Sequence, residues 1–375
     1  MKQQKKAKGK IRIAEERPAL MRGTVREAHG MCAHSAIHSP PSGRRCTGGN
    51  RRRLSHQLGE SAAFTRARRA RYSAAELMKA KSASKPKPVF YSTKPWEKTY
   101  LALRTEYLAA TLFGSFLAGS LALFHGSFNM AGFLLAIAGV LLAQGGTNLA
   151  NDYFSSIRLG NGPLGQERKL HFSIACFLVS ILVYYNLSLT LGPLIFMVGI
   201  AGVLLGFFYS APPISLGWRK MGEAAVFLGM GPLLFAAVYF ASSSGHVSFA
   251  AAGLSLFSGA LMAIAMIAAQ HPDIELDRKA RKHTLAGVHG KEGMALGMMF
   301  FIAIGALGAG ISGLFLPIAV LACTLPAFYL AIRSWKAIEL ENRLASLLLA
   351  LKAHLWGNLL PALALLALAF FKTSI

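Results

Sequence analysis

From about residue 100 onward the chain reads as long apolar runs separated by short polar breaks. Nine runs have roughly the 20 residues needed to cross a bilayer. Their approximate limits are 105–124, 130–150, 171–189, 191–210, 222–241, 248–270, 294–313, 315–332 and 345–371. Pro193, Pro232, Pro317, Pro326 and Pro361 fall inside runs, which membrane helices tolerate because neighbouring helices re-satisfy the freed carbonyls. The pattern predicts an all-α integral membrane bundle of nine transmembrane helices, with the lipid bilayer as its surroundings.

The charged positions sort by side. Arg158, Arg168 and Lys169 follow the second run, and Arg219 and Lys220 the fourth. Arg278, Lys279, Arg281, Lys282 and Lys291 follow the sixth, and Arg333, Lys336 and Arg343 the eighth. The alternate loops at 125–129 and 242–248 contain no Lys or Arg. The positive-inside rule therefore places the N-terminus and the even-numbered loops in the cytoplasm and the C-terminus outside.

Composition agrees: 54% of the 375 residues are hydrophobic and the mean hydropathy is +0.44, which excludes an ordinary soluble protein of this size. The formal charge of +24 is unevenly placed. Residues 1–95 hold 23 Lys and Arg, five Glu and no Asp, a net of +18, and the remainder carries only +6. The chain thus divides into a basic tail at 1–95, expected to be disordered, and a membrane domain at 96–375. Because the basic excess belongs mainly to the tail, no nucleic-acid partner is expected. The tail lacks an apolar stretch of signal-peptide length. An organelle transit peptide, an arm lying on anionic lipid, and a true start at Met78 are three readings of it. The four cysteines, Cys32, Cys46, Cys176 and Cys323, show no CxxC or Cys/His spacing and read as unpaired thiols.

Acidic residues are scarce, so their placement is informative. One patch, with Asn148, Asn151 and Asp152, closes the second run; the other, Asp273-Ile-Glu-Leu-Asp277, closes the sixth. Both fall on the predicted cytoplasmic side. The four-span separation suggests two halves whose patches face each other across a shared cavity. Asp273 and Asp277 are four apart, which on a helix places them on one face with Cβ atoms about 6 Å apart. Carboxylates that close repel unless a cation lies between them.

The patches offer only oxygen ligands, which suit Mg²⁺. Arg219, Lys220, Arg278, Lys279, Arg281, Lys282 and His283 lie beside them. Carboxylates, a divalent cation and Lys/Arg together describe a diphosphate site, and inside an apolar bundle the organic part of that substrate would be a lipid. The plainer reading is a positive-inside loop whose acids balance its bases. It accounts less well for the Asp273/Asp277 spacing and for a second patch at equivalent depth. His271 reads as a loop histidine with a local partner, and Gly114, Gly119 and Gly206 as sites of close helix contact.

Three segments carry a resemblance: Gly146-Thr-Asn-Leu-Ala-Asn-Asp-Tyr-Phe154, Tyr209-Ser-Ala-Pro-Pro-Ile-Ser-Leu-Gly-Trp-Arg-Lys-Met-Gly-Glu223, and Asp273-Ile-Glu-Leu-Asp-Arg-Lys-Ala280 with Lys282-His-Thr-Leu-Ala286. Over residues 100–372 the chain resembles the UbiA-type membrane prenyltransferases, most closely the branch that prenylates 1,4-dihydroxy-2-naphthoate in menaquinone synthesis. The resemblance implies a helical bundle with a central cavity, in a bacterial inner membrane. It further implies Mg²⁺, a polyprenyl diphosphate and an aromatic acceptor as cofactor and partners. By position it assigns Asn151 and Asp152 to the first metal motif and Asp273 and Asp277 to the second. Asp152, Asp273 and Asp277 then serve catalysis. Asn148, Asn151, Tyr209, Arg219, Lys220, Arg278 and Lys282 then bind substrate. Ser155 stands where the first motif has another Asp, no acid occupies 159–161, Ala269-Gln270 replaces Asn-Asn, and Arg281 replaces a usual Gly. These departures define an alternative, a non-catalytic homologue that binds or moves isoprenoid lipid.

Overall fold

The computed structural model describes residues 105–158 and 167–373. The basic tail and the missing acid at 159–161 lie outside the described residues. Twelve helices follow in order: α1 Thr105–Phe124, α2 Met130–Arg158, α3 Glu167–Leu191, α4 Pro193–Ser210, α5 Gly222–Leu228, α6 Leu234–Ser242, α7 Phe249–Gln270, α8 Ile274–Lys279, α9 Leu285–Gly313, α10 Ile318–Ala322, α11 Leu325–Glu339 and α12 Arg343–Thr373. Joined where they continue one another, they form nine segments long and apolar enough to span a membrane. The protein is an integral, multi-pass membrane protein.

The spans agree with the hydropathy runs, and the ends differ for identifiable reasons. α2 continues through the first patch to Arg158, so Asn148, Asn151 and Asp152 lie on the helix itself. α9 begins at Leu285 rather than at 294; its first turns hold His289, Lys291 and Glu292, which mask it from hydropathy. Gly290, at φ 63° and ψ −154°, kinks the helix there, a backbone state that glycine adopts at little cost. The fifth run is two helices joined by a π turn at Gly229–Leu233 that contains Pro232. Pro232 cannot donate to the regular ladder, and the wider turn accommodates it.

α7 is the hub, with 83% of its apolar window buried. Ser248 caps its start, the side chain accepting from the Ala250 N–H, as a preferred N-cap residue does. Close approach to two neighbours depends on glycines. A Cβ on Gly308 of α9 would lie 2.8 Å from Cβ of Leu256 and 2.8 Å from the Phe257 nitrogen. A Cβ on Gly259 would lie 2.6 Å from the Phe227 carbonyl oxygen. Gly308→Val is therefore expected to destabilise the bundle by about 1–3 kcal/mol through overpacking, read as a lower melting temperature in detergent.

The end of α2, the loops before α5 and α9, and the turn before α12 are tied together on one face. The Arg158 guanidinium hydrogen-bonds Ser215 Oγ, tying the end of α2 to the loop between α4 and α5. That loop pairs with the one before α9, Lys220 N donating to His283 O at 2.7 Å and His283 N to Trp218 O at 3.2 Å. Lys291 reaches Glu341, just before α12, at 3.1 Å.

Candidate functional site

A cavity of about 140 Å³ lies inside the bundle, its lining reaching Asn151 and Tyr209 at the end of the helices nearest this basic face. Its walls are α2, α4, α7 and the α5–α6 span, with Tyr107 added from α1 and Tyr184 from α3. α2 presents Val140, Ala143, Gln144, Thr147, Asn148 and Asn151, the three- and four-residue spacing of a single helix face. α4 presents a matching stripe from Val198 to Tyr209. Each stripe rises about 16 Å at 1.5 Å per residue. The α2 residues nearest the basic face are polar, and the deeper lining is almost wholly apolar, with Met230, Met262 and Met266 among it.

Around the mouth the predicted residues take distinct positions. Asn148 is buried and accepts from Gln144 Nε2 at 3.5 Å. Asn151 lines the cavity and its Oδ1 accepts from Ser210 Oγ at 2.8 Å and from Ser155 Oγ at 3.4 Å. Asp152, one position on, pairs with Lys169 at the start of α3, 2.8 Å away. Tyr209 packs beneath the loop that follows α4, where a Cβ on Gly217 would stand 2.9 Å from its ring.

The second patch is not one uniform face. Asp273 is exposed at the N-cap of the short helix α8. Asp277 is buried, accepting from Thr284 Oγ1 at 2.8 Å and Lys282 Nζ at 3.3 Å. The helix that would align them is short: a 3₁₀ turn at His271–Asp273 precedes α8, and Asp273 is its N-cap. Arg278 turns away to the first turn of α9, donating to Gly287 O at 2.9 Å, and Arg219 and Lys220 are exposed. His271 is buried and its Nδ1 has no hydrogen-bond partner. Arg281 adopts φ 53°, a left-handed state that favours the glycine of the motif.

Trp218 brings the two patches together. Arg158, six residues past Asp152, lies over its ring at 4.7 Å, and Lys282, five past Asp277, at 5.9 Å. A cation from each patch thus rests on one indole, held by cation–π attraction. The residues that hold this arrangement escape sequence reasoning. Gln270 Nε2 donates to the buried Glu223 at 2.6 Å, and its Oε1 accepts from the Ala286 N–H at 3.2 Å. Gln270, the very departure from Asn-Asn, therefore fastens the starts of α5 and α9 to the end of α7.

Among the described residues, no three His, Cys, Asp or Glu converge as a cage for a metal. The donors present are carboxylate and amide oxygens. That set fits Mg²⁺, which keeps several waters and is held by one or two carboxylates together with substrate phosphates.

Residues 111–356 match the UbiA prenyltransferase family. The chain belongs to this family. A curated relative, 1,4-dihydroxy-2-naphthoate octaprenyltransferase of Bacillus subtilis strain 168, is 23% identical over 211 residues, covering 53% of this chain and 66% of the relative, just under two thirds of its length. A solved UbiA homologue from Archaeoglobus fulgidus is 18% identical, with TM-score 0.53, covering 74% of this chain and 100% of that one. The same homologue bound to GPP and Mg²⁺ gives 17% identity, TM-score 0.53 and the same coverage. A digeranylgeranylglyceryl phosphate synthase structure gives 18%, TM-score 0.53, and coverage of 72% and 98%. At these identities the likeness is one of fold.

Proposed function

We propose that this chain transfers a polyprenyl group from its diphosphate to an aromatic acceptor of the 1,4-dihydroxy-2-naphthoate kind, with Mg²⁺, on the cytoplasmic side of the membrane. The observation that carries the reading is the cavity itself. It is apolar in depth and polar at a mouth where Asn148, Asn151 and Tyr209 meet loops bearing carboxylates and cations.

Bound Mg²⁺ would supply positive charge to the diphosphate oxygens, with Asp152, Asp273, Asp277 and Asn151 as its holders. The chain's own residues do the rest. Arg158 and Lys282, both on Trp218, face the charge that grows as the C1–O bond breaks and diphosphate departs with the electron pair. The Tyr107 and Tyr209 rings and the three methionines line the space where the allylic cation forms. Ring faces attract cations, and the apolar wall excludes water that would otherwise capture the cation. An electron-rich acceptor carbon then attacks and loses its proton.

The test is product formation in proteoliposomes supplied with labelled polyprenyl diphosphates and a panel of aromatic acceptors. EDTA is expected to abolish turnover and added Mg²⁺ to restore it. No product with any acceptor, from folded protein in the presence of Mg²⁺, would overturn the reading. Ser155 favours one other reading. It bonds Asn151 where a carboxylate would bind metal, which suits a homologue that binds isoprenoid lipid without chemistry.

A further inference from the structure

We infer that Tyr184 closes the deep end of the cavity and sets the length of isoprenoid chain it accepts. The inference rests on the proposed function only for the class of ligand.

Tyr184 enters from α3, outside the pair of helices that carry the lining stripes. Its ring lies between two glycines, Gly139 on α2 and Gly199 on α4. A Cβ on Gly139 would lie 2.7 Å from Cε2 of the ring, and one on Gly199 would meet its Cγ, Cδ2 and Cβ. No side chain fits at either position while the ring is there. The hydroxyl donates to the Ala136 carbonyl at 3.2 Å, and the residue is 2% exposed. The ring is thus held at both edges and at its tip.

Its depth matters. Val140 and Val198 mark the ends of the two stripes furthest from Asn151 and Tyr209, and Tyr184, against Gly139 and Gly199, lines the cavity at that level. A ligand whose diphosphate sits at the polar mouth points its far isoprene units at this ring. Beyond it lies α3, whose outer face carries exposed Leu178, Leu182 and Tyr185. Removing the ring extends the cavity between Gly139 of α2 and Gly199 of α4 toward α3. One turn nearer the mouth, Gly202 also lines the cavity, and a Cβ there meets no atom within 4 Å. A larger side chain at 202 therefore shortens the same space without strain.

The experiment measures binding of non-reactive prenyl thiodiphosphates of graded length, from geranyl to octaprenyl, by thermal shift of the full chain in detergent with Mg²⁺. Turnover of the matching diphosphates is measured in parallel. Pocket changes of this size alter discrimination about tenfold or more. Tyr184→Ala is expected to move the long-to-short affinity ratio up by about that factor, and Gly202→Leu to move it down. Tyr184→Phe, which keeps the ring, is expected to leave the ratio unchanged. Unchanged ratios in folded Tyr184→Ala or in Gly202→Leu overturn the inference, and the second variant decides alone if the first does not fold. Binding of no prenyl thiodiphosphate at any length overturns it as well. Graded binding without turnover leaves the length gauge standing and removes the transferase reading instead.

Discussion

Asp277→Asn is expected to lower prenyl transfer about 100- to 1,000-fold, the usual cost of removing one group that stabilises developing charge. The fold should survive. Asp277 sits in a tight knot, accepting from Thr284 Oγ1 at 2.8 Å and from Lys282 Nζ at 3.3 Å. Asparagine keeps an oxygen for Thr284, which also caps α9 by accepting from the Gly287 N–H at 3.0 Å. What disappears is the charge, and with it the proposed metal ligand and the counter-ion of Lys282. Steady-state turnover and the melting temperature are measured together. A large loss of turnover at nearly unchanged melting temperature supports the assigned role. Wild-type turnover would show that Asp277 only ties the loop, the plainer reading of an acid among bases. Asp273→Asn is a useful companion, because Asp273 is exposed and lies outside that knot.

The bundle was legible because each apolar run had to become a helix: inside a bilayer the backbone has no other partners. Where α9 starts was not legible, since His289, Lys291 and Glu292 make its first turns look like loop. The patches were visible as rare acids at run ends, and their four-span separation suggested that they face each other, but the way they are joined was not visible. It depends on Trp218, on which Arg158 and Lys282 converge from opposite sides of the sequence. The buried Glu223–Gln270 bond joins residues 47 apart in sequence and reads locally as two unremarkable polar positions. The cavity wall was the least visible part. Tyr184, Met262 and Met266 have the helical spacing and polarity of ordinary packing residues. Only the glycines opposite Tyr184 hint that a ring needs the room. Arg281 is the reverse case, where a motif that prefers Gly points correctly to a left-handed backbone.

Ser155→Asp is expected to raise Mg²⁺-dependent turnover about 10-fold or more, the scale on which residues supporting a metal site act. Position 155 is half-buried on the last turns of α2, three residues from Asp152 and four from Asn151. Residues at these spacings share a helix face, so an aspartate there adds a charged oxygen beside the first patch. Without metal it should destabilise the protein. An acid near a helix C-terminus opposes the helix dipole at a cost of about 0.3–1 kcal/mol, and it meets the existing carboxylate of Asp152. Lys169, 2.8 Å from Asp152, relieves only part of that repulsion. Mg²⁺ reverses the sign by binding the folded state, so the variant's melting temperature should climb more steeply with Mg²⁺ than the wild type's. The two readouts separate the two functional readings. A steeper metal response with a gain in product identifies an enzyme working with an incomplete first motif. A steeper metal response with no product from either form identifies a chain that holds isoprenoid lipid without reacting it. An unchanged metal response would place the Mg²⁺ away from α2, and Asp152 would lose its assigned role.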